Sequence, residues 1–144
     1  MAHYALIMLL AGIGIPILAA LNSALGKFLT SPATAAAITF LIACLTCLTA
    51  MTTTGSPQLN TILNAPKLYF AAGLFVAFYV LSITYIAPQF GVGNAIFFVL
   101  LGQLISAAVI DHFGLFGAQI HPFDIKRASG ILLMALGVWV AKQA

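Results

Sequence analysis

The sequence predicts an all-α integral membrane protein with five transmembrane helices. Hydrophobic residues fill 63% of its 144 positions and charged residues only 5%, whereas soluble domains carry about 25% charged residues. Mean hydropathy is +1.17. The apolar residues also fall into five stretches of roughly membrane-spanning length, split by polar or helix-breaking punctuation. So few charges cannot coat an aqueous surface, so lipid is the main solvent. The length suits a single transmembrane domain over residues 1–144, with spans at about 4–26, 32–52, 68–87, 94–111 and 125–141.

Span 1 begins behind Met1-Ala2-His3-Tyr4, which lacks the basic start of a signal peptide. Its apolar run is too long for a cleaved leader and reads as a retained crossing. Pro16 lies inside it and Lys27 closes it. Ser31-Pro32 opens span 2 with a hydroxyl cap followed by a proline, whose missing N–H costs little in a first turn. The run Thr52-Thr53-Thr54-Gly55-Ser56-Pro57 ends it, and a polar loop leads to Lys67. Span 3 stops at Ala87, before the break Pro88-Gln89-Phe90-Gly91-Val92-Gly93. Span 4 ends at Asp111-His112. The aromatic, glycine-rich segment from Phe113 to Phe123 is too short to cross and suits the interfacial zone. Asp124 can cap span 5, and Lys126-Arg127 can anchor its start at the headgroups.

Five crossings put Lys67, Lys126 and Arg127 on the side of the N-terminus, and Lys27 and Lys142 on the other. Loop Lys/Arg bias sets topology, and this near-balance favours a cytoplasmic N-terminus only slightly. A chain with little bias can insert both ways. Two opposed copies would reproduce the inverted repeat of many transporters, with the site at the repeat interface. Small-number scatter in a short protein explains the same balance.

Small residues mark close helix approach in lipid. Span 1 offers Gly12, Pro16, Ala20 and Ala24, widened by Ala19 and Ser23. Span 4 offers Gly102 and Ser106, and span 5 offers Gly130, Gly137 and Ala141. These serve packing within one subunit, or a subunit contact in the case of span 5.

Polar residues inside lipid need partners and are the candidate substrate ligands. They are Asn22 in span 1, Gln103 and Ser106 one turn apart in span 4, and Tyr79 and Ser82 in span 3. Tyr85 suits the interfacial belt. Pro16 frees a carbonyl near mid-membrane that substrate or water can use. For Asn22 and Gln103 the competing role is to glue helices together, and for Pro16 it is a tolerated kink satisfied by neighbouring helices. Asp111 and His112 form the one acid–imidazole neighbour pair and are proton-coupling candidates, or else a solvated helix end that orients Arg127. No acid lies at a span centre.

Cys44-Leu45-Thr46-Cys47 spells a redox motif. It sits far from the helix N-terminus that would activate a thiol, and reads better as two small buried apolar residues. Three histidines without convergent spacing predict no metal site. No cofactor is expected. With no run of Lys/Arg, neither is nucleic-acid binding.

Several motifs together resemble a known family. They are Gly12-x-x-x-Pro16 with Asn22-x-x-Leu25-Gly26, Ser31-Pro32, Pro88-x-x-Gly91-Val92-Gly93 and Gly102-Gln103-Leu104-x-Ser106. Asp111-His112-Phe113-Gly114-Leu115-Phe116-Gly117, Arg127-x-x-Gly130 and Leu133-Met134-x-x-Gly137 complete the set. The chain resembles the YdcZ-type family of small bacterial inner-membrane proteins, half-size relatives of the drug/metabolite transporter superfamily. That resemblance implies five helices per subunit and an antiparallel homodimer mimicking a ten-helix transporter, or pairing with a homologous, oppositely oriented subunit. The expected function is a secondary transporter subunit, not an enzyme. It would move a small organic solute across the bacterial inner membrane through a cavity lined by Pro16, Asn22, Tyr79, Ser82, Gln103 and Ser106. The alternatives are a non-transporting scaffold or accessory subunit and a membrane thiol oxidoreductase.

Overall fold

A computed structural model describes residues 2–55 and 58–143. Ser56 and Pro57 of the expected loop lie outside the described residues. The helices are α1 (Ala2–Phe28), α2 (Pro32–Thr54), the short α3 (Leu59–Leu63), α4 (Ala72–Phe90), α5 (Val92–Phe113) and α6 (Ile125–Lys142). A 3-10 turn over Lys67–Ala71 leads into α4, and another over Leu115–Gly117 follows α5. Among the described residues, four helical stretches are long and apolar enough to cross a membrane: Ala2–Phe28, Pro32–Thr54, Lys67–Phe90 and Val92–Phe113. α6 has 18 residues and carries Lys126 and Arg127 in its first turn.

Two helix ends and one loop differ from the sequence reading. α2 continues through the threonine run to Thr54 because the hydroxyls donate back to the helix. Thr49 bonds the carbonyl of Thr46, Thr52 that of Thr49, and Thr53 and Thr54 that of Ala50. A threonine so bonded hides its polarity inside its own helix. α4 does not stop at Ala87: Pro88 occupies its last turn, and the helix ends at Gly91 (φ 89°), whose N–H bonds the carbonyl of Ala87. The polar loop holds the extra helix α3.

The contacts fall into two units, residues 1–92 and 93–144. In the first, α1, α2 and α4 pack on one another. α1 ends in a tight reversal in which Ser31 N–H bonds the carbonyl of Gly26 and Thr30 N–H that of Lys27, with Thr30 at φ 51°. This is a Schellman cap with threonine where glycine is usual. Ser31 then caps α2 through its hydroxyl, which accepts from Thr34 N–H at 3.2 Å, with Pro32 next.

The core of this unit is built from small residues: Ala19, Gly26, Ala35, Ala36 and Ala87, with Val80, Ile83 and Thr84. Without a hydrophobic drive in lipid, such residues hold helices together by close backbone approach. A Cβ on Gly26 would stand 3.1 Å from Thr84 Cγ2 and 3.4 Å from Pro32 Cα. The buried stripe of α1 is therefore Ala19, Asn22, Ser23 and Gly26: of the predicted stripe it keeps the widening residues Ala19 and Ser23 but not the Gly12–Ala24 row. Gly12, Ala20 and Ala24 face outward and Pro16 is half-buried. The polar Asn22 and the close approach at Gly26 choose the face.

Burial is confined to one end of this unit. The side chains of residues 2–14 in α1, 41–54 in α2 and 72–76 in α4 are all exposed. Cys44 and Cys47 are among them, as free thiols, so they are not the buried pair that the sequence suggested.

In the second unit, the segment after α5 folds back over that helix's end. His121 N–H bonds the carbonyl of Asp111 at 2.9 Å, satisfying an acceptor that the helix end leaves open. Asp124 caps α6 as expected, accepting from Arg127 N–H at 2.7 Å. Gly102, Gly130 and Gly137 would meet nothing within 4 Å of an added Cβ.

Candidate functional site

Two polar clusters stand out, one in each unit. The first is centred on Asn22, which is 3% exposed. Its Oδ1 accepts from the Thr39 hydroxyl at 2.7 Å, and its Nδ2 donates to Thr84 Oγ1 at 2.5 Å. Thr84, 1% exposed, donates its own proton to the carbonyl of Val80. One amide thus ties α1 to both α2 and α4.

This knot leaves capacity unused. A primary amide has two donors and two acceptor positions, and Asn22 commits one of each. Asn22 and Thr39 also floor a cavity of about 260 Å³ whose other walls are Leu18, Leu21 and Leu25. Among the described residues, two buried oxygens in this unit lack a hydrogen-bond partner, Ser23 Oγ and Tyr79 Oη. A hydroxyl stranded away from water costs about 1–3 kcal/mol.

The expected site residues fall as follows. Pro16, Tyr79 and Ser82 are half-buried in the first unit, while Asn22 is fully buried there. Gln103 and Ser106 are exposed on α5 in the second unit. Tyr85 is exposed on α4. Thr39 and Thr84 escaped the sequence reading. A signal for Thr39 exists: it lies eight residues after Ser31, and Asn22 eight before Thr30, so a hairpin turning between Thr30 and Ser31 sets them at one depth.

The second cluster surrounds Asp111 and His112. Asp111 pairs with Arg127 (Oδ2 to the guanidinium, 2.5 Å), both about one-third exposed. His112 Nδ1 accepts from Phe123 N–H at 2.9 Å, and its ring meets Phe113 edge-on. Arg127 is held twice, through its backbone by Asp124 and through its side chain by Asp111. A cavity of about 360 Å³ lies here, with His112 in its lining. Among the described residues, no group of His, Cys, Asp and Glu could hold a metal ion.

A small-residue helical bundle with a buried amide at its three-helix junction has the construction of a polytopic membrane protein. Comparison with protein families makes this specific. The model of the DMT_YdcZ family, described as "Putative inner membrane exporter, YdcZ", matches residues 3–140. The chain belongs to that family. No curated protein gives a significant match. No solved structure does either.

Proposed function

We propose that the chain is a subunit of a secondary transporter that moves a small neutral or amphiphilic organic solute across the bacterial inner membrane. The family's description as an exporter supports the general transport role. In this reading α6 is a fifth crossing, residues 1–144 form one transmembrane domain, and two copies pair in opposite orientations. A homologous, oppositely inserted subunit is the alternative partner. Pro16, Asn22, Tyr79, Ser82, Gln103 and Ser106 line the path. A coupling proton on Asp111 would release Arg127, and one on His112 would have to displace the Phe123 N–H that its Nδ1 accepts.

The observation that carries the reading is the surplus hydrogen-bonding capacity inside the first unit. Asn22 has a donor and an acceptor to spare, and the Tyr79 hydroxyl is shielded with no protein partner. A scaffold gains nothing from stranded polar groups, whereas a solute carrying a carbonyl or hydroxyl would satisfy them.

Tyr79→Phe separates the roles. It deletes a hydroxyl that makes no bond within the chain, so it leaves the melting temperature unchanged or raised. Transport in proteoliposomes loaded with a panel of neutral organic solutes should fall several-fold. Undiminished flux removes Tyr79 from the path. An absence of flux for every solute with the unaltered chain favours the scaffold. Reporters for each side of the membrane, fused at the C-terminus, test pairing: dual insertion gives signal from both.

A further inference from the structure

We propose that the cavity at the C-terminal end of α5 is a second binding site, for a small uncharged lipophilic molecule bearing one hydrogen-bond acceptor. The cavity belongs wholly to the second unit and is separate from the Asn22 knot. Among the described residues its walls are Ile105, Ala108, Val109, Phe113, Phe123 and Ile131, and the one polar side chain is His112. At about 360 Å³ it falls within the range of small-molecule pockets.

The ring of His112 defines the chemistry. Nδ1 is occupied as an acceptor by Phe123 N–H. In the neutral imidazole one nitrogen accepts and the other carries the proton, so the proton sits on Nε2. The bond that Nδ1 receives therefore sets the tautomer and leaves Nε2 of His112 a donor. An otherwise apolar cavity thus holds one N–H, which matches a ketone, ester or ether oxygen on an apolar body.

Neighbouring charges do not alter this. The carboxylate of Asp111 and the guanidinium of Arg127 neutralise one another, and Asp124 is engaged in capping α6. Lys126, His121 and both members of the pair are absent from the lining. An anion would find no unpaired cation on the wall, and a cation no unpaired carboxylate.

Fluorine NMR of the full chain in lipid nanodiscs tests the proposal with a matched pair of probes. One is para,para′-difluorobenzophenone, which has a carbonyl acceptor. The other is bis(4-fluorophenyl)methane, the same two rings joined by a methylene. The ketone should bind saturably above its partition into empty nanodiscs, about fivefold tighter than the hydrocarbon, the value of one neutral hydrogen bond. Nuclear Overhauser contacts from the ketone should reach the methyls of Ile105 and Ile131. His112→Phe should abolish the preference for the ketone while hydrocarbon binding persists. Val109→Trp, at an exposed wall position, should weaken both probes at least tenfold by filling the space. The proposal is overturned if the ketone shows only partition, if its contacts map elsewhere, or if it keeps its preference in His112→Phe. Should His112→Phe not fold, the Val109→Trp and contact results decide alone, and full-strength binding in Val109→Trp is equally fatal.

Discussion

Removing the hydroxyl of Thr84 while keeping its shape isolates the junction of α1 and α4. Thr84→Val preserves the methyl that lies nearest a Cβ built on Gly26, but strands one N–H of Asn22 in a place that is 3% exposed. Thr39→Val strands the amide oxygen instead, at a part-buried bond. Interhelical hydrogen bonds in membranes average about 0.6 kcal/mol by double-mutant cycle and reach about 1.7. The Asn22–Thr84 bond is short and fully buried, so its coupling belongs in the upper part of that range, and the Asn22–Thr39 coupling near its mean. Together they amount to roughly 2 kcal/mol, a substantial share of marginal stability. The assay is reversible unfolding in mixed micelles, with Asn22→Ala as the common corner of both cycles. The cycle cancels the cavity left by the truncated amide, which single substitutions would confound. Couplings indistinguishable from zero for both pairs would refute the knot as a structural element.

Two further perturbations follow from the same geometry. Gly26→Leu should prevent recovery of folded protein by size-exclusion chromatography, because the space beside Gly26 is taken by Thr84 and Pro32, whereas Gly12→Ala, which meets nothing within 4 Å, should behave as the unaltered chain. Asp111→Asn should lower the melting free energy by no more than about 1 kcal/mol, as expected for a partly exposed ion pair. That difference should shrink as salt is raised, and the exchange Asp111→Arg with Arg127→Asp should recover part of it.

The ends of the helices were legible wherever a side chain caps a backbone. Ser31-Pro32 and Asp124 name their helix starts, and both caps form. The end of α2 was not legible, because a threonine run reads as polar until its hydroxyls are known to bond carbonyls one turn back. Pro88 misled for a related reason: a proline in a last turn costs only one bond, so α4 passes through it. The candidate site was legible in kind but not in membership. Asn22 announces itself as an amide in lipid, but its partners Thr39 and Thr84 look like ordinary self-bonded threonines. Choosing the buried face of α1 required knowing which neighbours approach. The row of Gly12, Ala20 and Ala24 has equally good spacing and faces outward.

The one-sided burial of the first unit bears directly on pairing. α1, α2 and α4 are locked near Gly26, Ala35 and Thr84, while residues 2–14, 41–54 and 72–76 at their far ends expose every side chain. Lipid can cover such a surface, and so can a second copy; the native cysteines distinguish the direction of a second copy. Cys44 is the thirteenth of 23 residues in α2, hence at its middle, and is exposed. Met51, also exposed, lies seven residues further on, about 10 Å towards the helix end. In an antiparallel pair that meets along α2, mid-helix residues share one depth, but the two copies of Met51 stand about 20 Å apart along the membrane normal. A disulfide needs Cα atoms within about 7 Å. Oxidation of single-cysteine variants in native membranes should therefore join copies through Cys44 and not through a cysteine at Met51. The matching series on α1 places its crossover near Ile15. Equal cross-linking at Cys44 and at Met51→Cys would show subunits that run the same way. No cross-linking along either helix would mean that lipid covers this surface, and the inverted pair would have to meet elsewhere or not exist.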